Sequence, residues 1–259
     1  MALTVADLKT GAKLVFGSYG VGASAYPISW LKSGKGNIFL SEFVLDILKF
    51  DNQERNNPQR DFYYHGNSDY EVSNIIQFMN SVDEDWYESM HRYDSPPGNI
   101  DGVYDALGDY VHHPGFLHEF EDYEIECLDG RIDLPTIENI IGTGREARFP
   151  LFNRKGYRGR PTLDLVNKGG HDMHEDSFCE FWVRNTQGFY ASYIDRAGSK
   201  RDTYANTREG LRPICSLKHT TEVALQDDGT YRIVPFTATK SRATKVCTDE
   251  EFLALMGLL

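Results

Sequence analysis

The apolar residues of this chain come in short runs, each closed by glycine, proline, asparagine or aspartate, and none approaches the roughly eighteen residues of a membrane span. Such a chain is confined to short strands and short helices joined by turns. Lys13-Leu14-Val15-Phe16-Gly17-Ser18-Tyr19 and Tyr26-Pro27-Ile28-Ser29-Trp30-Leu31 are aromatic and β-branched stretches around a Gly-rich turn, predicting an antiparallel pair. Asn37-Ile38-Phe39-Leu40 predicts a third strand. Phe43, Val44, Ile47 and Leu48 then recur at helical spacing behind Ser41, which predicts a short amphipathic helix reaching Phe50. Val72, Ile75, Ile76 and Met79 place a second short helix over Tyr70–Met79, with Ser68 or Asp69 as its cap.

Residues 51–68 and 83–115 are polar, acidic and broken by Pro and Gly, and are expected to be surface loops. Glu124-Ile125-Glu126-Cys127-Leu128 alternates like a strand, and Ile137-Glu138-Asn139-Ile140-Ile141-Gly142 predicts a brief helix ended by glycine. Strands are expected again at Phe178–Arg184, Gly188–Ile194 and Gly210–Leu217, and the Asp228-Gly229 pair predicts a hairpin joining Val223–Leu225 to Tyr231–Val234. Small, polar, basic residues follow at 237–247. Thr248-Asp249-Glu250-Glu251 then has capping-box spacing ahead of Phe252-Leu253-Ala254-Leu255-Met256-Gly257-Leu258-Leu259. The expected organisation is a domain at 1–236, a linker at 237–247 and a docking helix at 248–259. That helix, through Phe252, Leu255, Met256 and Leu259, packs either on its own core or, in the sharper reading, on a neighbouring subunit.

Composition narrows the function. Thirty-nine acidic residues against 27 Lys+Arg give a formal charge of −12, which opposes a nucleic-acid partner. Fifteen Tyr, 15 Phe and 3 Trp argue against disorder. The N-terminus lacks the basic-then-apolar layout of a signal peptide, so neither membrane insertion nor secretion is expected. Residues 1–138 carry 9 basic and 24 acidic side chains, whereas 139–259 carry 18 and 15. The arginines near 145–160 and 196–212 either face the acidic half and solvate loops or form an anion or nucleic-acid site. Head-to-tail contact between copies, hence a homo-oligomer, also suits this asymmetry.

Cys127, Cys179, Cys215 and Cys247 show no CxxC pairing and are expected to be reduced thiols. Signatures of P-loop, Rossmann, zinc-protease and serine-hydrolase sites are missing. His171-Asp172-Met173-His174-Glu175-Asp176 is the nearest metal-like string, with His112-His113 weaker, and a solvated acidic loop is the preferred reading of it. Neither cofactor nor metal is expected. The informative stretch is Trp182–Arg212, dense in Tyr, Ser, Asn, Asp, Thr and Arg, a chemistry of rigid amphipathic rings beside adaptable polar groups. Its candidate ligand-binding residues are Arg184, Asn185, Tyr190, Tyr193, Asp195, Arg201, Tyr204 and Asn206.

Phe16-Gly17-Ser18-Tyr19, Pro27-Ile28-Ser29-Trp30-Leu31, Gly66-Asn67, Ser73-Asn74-Ile75, Met79-Asn80-Ser81, Trp86-Tyr87, Gly115-Phe116-Leu117, Leu134-Pro135-Thr136, Phe181-Trp182-Val183-Arg184-Asn185 and Gly210-Leu211-Arg212-Pro213-Ile214 follow one another in order. This succession resembles an uncharacterised domain family of Gram-positive bacteria and their prophages, related in pattern to C-type-lectin-like and formylglycine-generating-enzyme-like folds. Trp182–Leu217 also resembles the variable repeats of retroelement-diversified proteins, which display Tyr, Asn, Ser and Asp and close on Arg-Pro. The resemblance implies an α+β, C-type-lectin-like architecture, with two short helices packed on one twisted, mainly antiparallel sheet and long loops. It implies ligand display rather than catalysis. Calcium triplets of animal lectins and the paired catalytic cysteines of the enzyme relatives are not found here. The expected function is a non-catalytic virion protein, made in a bacterial cytoplasm, that binds a host-surface glycan or protein and contacts other virion proteins. The alternative is an architectural head-decoration, tail or collar subunit.

Overall fold

A computed structural model describes residues 2–20, 22, 25–51, 66–84, 86, 114–142, 148–153, 159–167, 178–188 and 190–235. Three sequence features recur in it as consecutive apolar pairs: Trp30-Leu31, Phe39-Leu40 and Phe181-Trp182. Successive side chains of a strand point to opposite faces, so such pairs demand that both faces be covered. Both are. Strands β1 (Lys13–Tyr19), β2 (Tyr26–Lys32), β3 (Ile38–Ser41), β11 (Ile214–Ser216), β12 (Val223–Leu225) and β13 (Tyr231–Ile233) form a six-stranded sheet in the order β11-β3-β2-β1-β13-β12. Its inner face gives Leu14, Phe16, Trp30 and Phe39 to the main core, while Leu31 and Leu40 pack with Phe149 and Leu151 on the other side.

A second sheet has the order β5-β10-β7-β8-β9, from β5 (Asp46–Lys49), β7 (Phe181–Gln187), β8 (Tyr190–Ile194), β9 (Lys200–Tyr204) and β10 (Arg208–Leu211). Leu48, Trp182, Ala191 and Leu211 point into the main core, and Phe181, Val183 and Ile194 point into a second cluster with Val44, Ile140, Leu165 and Cys179. The indole N–H groups stay satisfied in this apolar setting: Trp30 donates to the Phe16 carbonyl at 3.0 Å and Trp182 to that of Leu48 at 2.8 Å. A short parallel pair, β4 (Phe43–Val44) with β6 (Arg160–Pro161), sits beside the second sheet. Pairing is mainly antiparallel. The parallel exceptions in the large sheets are β1 with β13 and β10 with β7.

The helices are α1 (Asn74–Met79), α2 (Asp122–Glu126), α3 (Ile137–Ile140) and α4 (Leu163–Asn167). Buried Asp51 anchors α1, accepting from the amides of Asn74 at 2.9 Å and Asn67 at 2.6 Å. Asp69 caps the preceding 3-10 turn Tyr70–Val72. Gly17 holds a φ of +62° at the β1 bulge, and a Cβ there would lie 2.3 Å from the Phe120 ring, so conformation and space both require glycine.

The α+β class and the mainly antiparallel pairing are as expected. Four features are not. The strands divide between two large sheets and a small one rather than forming one sheet, and α2 and α4 stand beside the expected helical segments Tyr70–Met79 and Ile137–Ile140. Phe43–Phe50 is two strands, not a helix, because Asp46–Lys49 pairs along all of β10 and its neighbouring apolar residues serve opposite faces. Asp122–Glu126 is helical, not extended, because the Glu124 carboxylate accepts from the Glu121 amide and starts a turn. The Asp228-Gly229 hairpin is present, but Gln226 pairs with Thr230 around a three-residue loop with Gly229 at φ +80°. The linker 237–247, the helix 248–259 with Phe252, Leu255, Met256 and Leu259, and most of 51–68 and 83–113 lie outside the described residues.

Candidate functional site

The hairpin β8–β9 is set by its turn. Asp195 and Ser199 pair, the Gly198 amide donates back to the Asp195 carbonyl at 2.8 Å, and Gly198 adopts φ +86°. One Asp195 carboxylate oxygen accepts from the amides of Ala197 and Ser199, and the other pairs with Arg201 at 3.0 Å. These contacts, the Ser199 amide foremost, hold the Asp195 carboxyl below its ordinary range. With the turn fixed, the register follows: Tyr190 opposite Tyr204, Ser192 opposite Asp202, Tyr193 opposite Arg201.

This register separates the tyrosines. Tyr190 and Tyr204 share the outer face with ring centroids 5.1 Å apart at 35°, and are 40% and 39% exposed. A hydrogen bond between their hydroxyls pushes the Tyr190 phenol upward. Beside them lie Asp202, which accepts from Ser192 at 2.6 Å, and Lys200, which reaches Gln187 at 3.1 Å and Asp202 at 3.1 Å. Tyr193 faces the other way. It packs edge-on against Trp182 at 6.2 Å and anchors the hairpin to the core.

The remaining candidates are placed apart from the tyrosine pair. Arg184 bonds Asp133 at 3.0 Å and stacks over Tyr70 at 5.6 Å, in a network where Arg131 grips Glu71 with two bonds and the Tyr70 hydroxyl bonds Asp133. Burial, then Asp133, drives the Tyr70 phenol far up, and Arg131 holds Glu71 below the usual carboxylate range. Asn185 accepts from the Ile137 amide at 2.7 Å and so caps α3. Asp195 and Arg201 sit toward the turn end of the hairpin, five and three residue positions along the strands from the Tyr190–Tyr204 pair, about 16 and 10 Å. Asn206 lies in the turn after β9, next to buried Ala205.

The chain matches no family model, no curated protein and no solved structure. Function therefore rests on side-chain chemistry. Among the described residues Glu180 and Glu209 form a carboxylate pair in direct hydrogen-bond contact, tighter than the ~5–10 Å that separates the two acids of glycoside hydrolases. Burial first, then Glu180, raises the Glu209 carboxyl to about 8. Among the described residues no cluster of three or more His, Cys, Asp or Glu suits a metal, and the string His171–Asp176 lies outside them. Buried Cys179 is pushed up to about 11, away from thiolate reactivity. Among the described residues no helix is long and apolar enough to cross a membrane.

Proximity in sequence made Arg184 through Asn206 look like one surface; strand alternation assigns them to different jobs. Gln187, Lys200 and Asp202, beside the exposed tyrosines, were missing from the candidates; period-two counting back from Tyr204 is the signal for Asp202 and Lys200, whereas Gln187 is placed by the pairing of β7 with β8.

Proposed function

We propose that this chain is a non-catalytic virion protein of phage or prophage origin and C-type-lectin-like architecture, which binds a host-surface glycan or protein through the outer face of β8–β9. The observation that carries this reading is the cross-strand pair Tyr190–Tyr204, open to solvent on a hairpin anchored from behind by Tyr193 on Trp182. Paired rings offer a flat apolar platform at low conformational cost, and their hydroxyls, with Gln187, Lys200 and Asp202, supply polar contacts. The motif order of the sequence supports the lectin-like part. The tether and the Phe252, Leu255, Met256 and Leu259 helix would fasten the protein to a neighbouring virion protein or another copy.

The test is binding of the purified chain to a glycan array and to Gram-positive cell surfaces. Saturable binding that free ligand competes away is expected; failure to bind either surface contradicts the proposal. One observation favours an architectural subunit as the second reading: among the described residues β9 pairs with β8 alone, so the second sheet ends there in an open edge. An electron-microscopy map of the native assembly separates the two. Tyrosines open at the particle surface support recognition, and tyrosines buried by a neighbouring subunit support architecture.

A further inference from the structure

On the side of the second sheet that faces α3, a cavity of about 260 Å³ opens between Phe152, Phe181 and Ile194, with the β8–β9 turn at its rim. Its walls are largely hydrocarbon, yet three arginines line it. Arg212 is fully buried, stacked over Phe181 at 5.2 Å and Phe152 at 5.8 Å and donating to the carbonyls of Ser41 at 3.2 Å and Glu42 at 3.3 Å. Arg148 has its Nε buried with no hydrogen-bond partner among the described residues. Arg196 stands at the exposed rim. The lining itself has one carboxylate, Asp195, already engaged by two backbone amides and Arg201, and behind it Glu42 acts on Arg212 and Glu209 on Arg196, which leaves Arg148, among the described residues, as the arginine with an unmet buried donor.

A donor buried without an acceptor is costly, and fixed positive charge between low-dielectric walls attracts an anion strongly. We propose that this cavity binds a small organic monocarboxylate with an apolar body, its carboxylate accepting from Arg148 under the charge of Arg212 and Arg196, its hydrocarbon part lying on Ile140, Phe152 and Phe181. The size points to a small molecule, since the cavity falls just under the range of ~300–1,000 Å³ of drug-sized pockets. The hydrocarbon walls favour a carboxylate over phosphate, whose several oxygens need more donors than one orphaned Nε supplies. Burial pushes the Arg212 guanidinium down to about 9, and a neighbouring anion would relieve that pressure. The cavity opens on the same face of β8 as Tyr190, four residues along the strand at Ile194, but its lining includes neither Tyr190 nor Tyr204 and its role does not depend on theirs.

The experiment is a methyl-NMR titration of the full chain with hexanoate, hexanamide and inorganic phosphate. Hexanoate is expected to shift the Ile140 and Ile194 methyls saturably, with hexanamide at least about tenfold weaker because it lacks the charge. Arg148→Gln should weaken hexanoate about tenfold without lowering the unliganded melting temperature, and Arg196→Gln, altered at the exposed rim, should weaken it several-fold. Equal binding of hexanamide, tighter binding of phosphate, no saturable shift, or wild-type affinity in both variants would each overturn the proposal.

Discussion

Tyr190 and Tyr204 lie directly opposite each other across β8 and β9, centroids 5.1 Å apart, and both stand open to solvent although each is followed directly by a fully buried alanine. An exposed cross-strand pair contributes only about 0.2–1 kcal/mol to a sheet. The double variant Tyr190→Ala/Tyr204→Ala should therefore keep its fold and lose no more than about 1–2 kcal/mol in urea denaturation. A larger loss would mean that these rings are structural.

Tyr193 should behave in the opposite manner. Its ring is wedged against Trp182 on the core side of the same strand. Tyr193→Ala is expected to cost about 2–4 kcal/mol, more than the double variant, by the same denaturation measurement.

Asn185→Ala removes the acceptor for the Ile137 amide at the start of α3. A loss of about 1 kcal/mol is expected, with ligand binding at the tyrosine face unchanged. Reduced ligand affinity at full stability would instead return Asn185 to the binding face.

Glu209 makes stability depend on pH. Its carboxyl is raised to about 8 in the folded protein by burial and by Glu180, from an ordinary value of 4.5. Folding then favours the protonated form, so this group's contribution is full below pH ~4.5 and is lost as pH rises through about 8. Glu209→Gln should leave stability near pH 4.5 unchanged and raise it by at least about 1 kcal/mol at pH 9, flattening the profile between. Chemical denaturation at several pH values reads this out, and an unchanged slope would refute it.

Gly17→Ala should destabilise by at least about 2 kcal/mol, because alanine is strained at φ +62° and its Cβ would strike the Phe120 ring. Shortening the neighbour in Gly17→Ala/Phe120→Leu relieves the clash but not the strain, so recovery should be partial. A thermal melt of each variant tests the pair.

The legible parts of the fold were those whose local sequence and global role agree. Trp30-Leu31, Phe39-Leu40 and Phe181-Trp182 read as strands because both faces are covered, and Gly142 and Gly229 sit at positive φ where the sequence placed a helix end and a turn. Phe43–Phe50 misled because a short apolar run fits both a helix and a buried strand, and the choice belongs to β10, over 150 residues away. Strand β9, Lys200-Arg201-Asp202-Thr203-Tyr204, carries little strand signal because it is a charged edge held by its hairpin. In the candidate site, composition found the tyrosines, but only the Asp195–Ser199 turn decides that Tyr190 faces out and Tyr193 in. The arginine-lined cavity was visible merely as basic clustering, since Arg148, Arg196 and Arg212 meet through tertiary packing.

The account stands most directly on the ligand affinity of the double variant. Wild-type protein and Tyr190→Ala/Tyr204→Ala, matched for circular dichroism, are compared on the glycan array and on Gram-positive cells. Removing two central aromatic contacts is expected to weaken binding by about 30-fold or more, the ~2 kcal/mol of an interface hot spot. A double variant that binds as the wild type does would contradict the tyrosine face as the recognition surface.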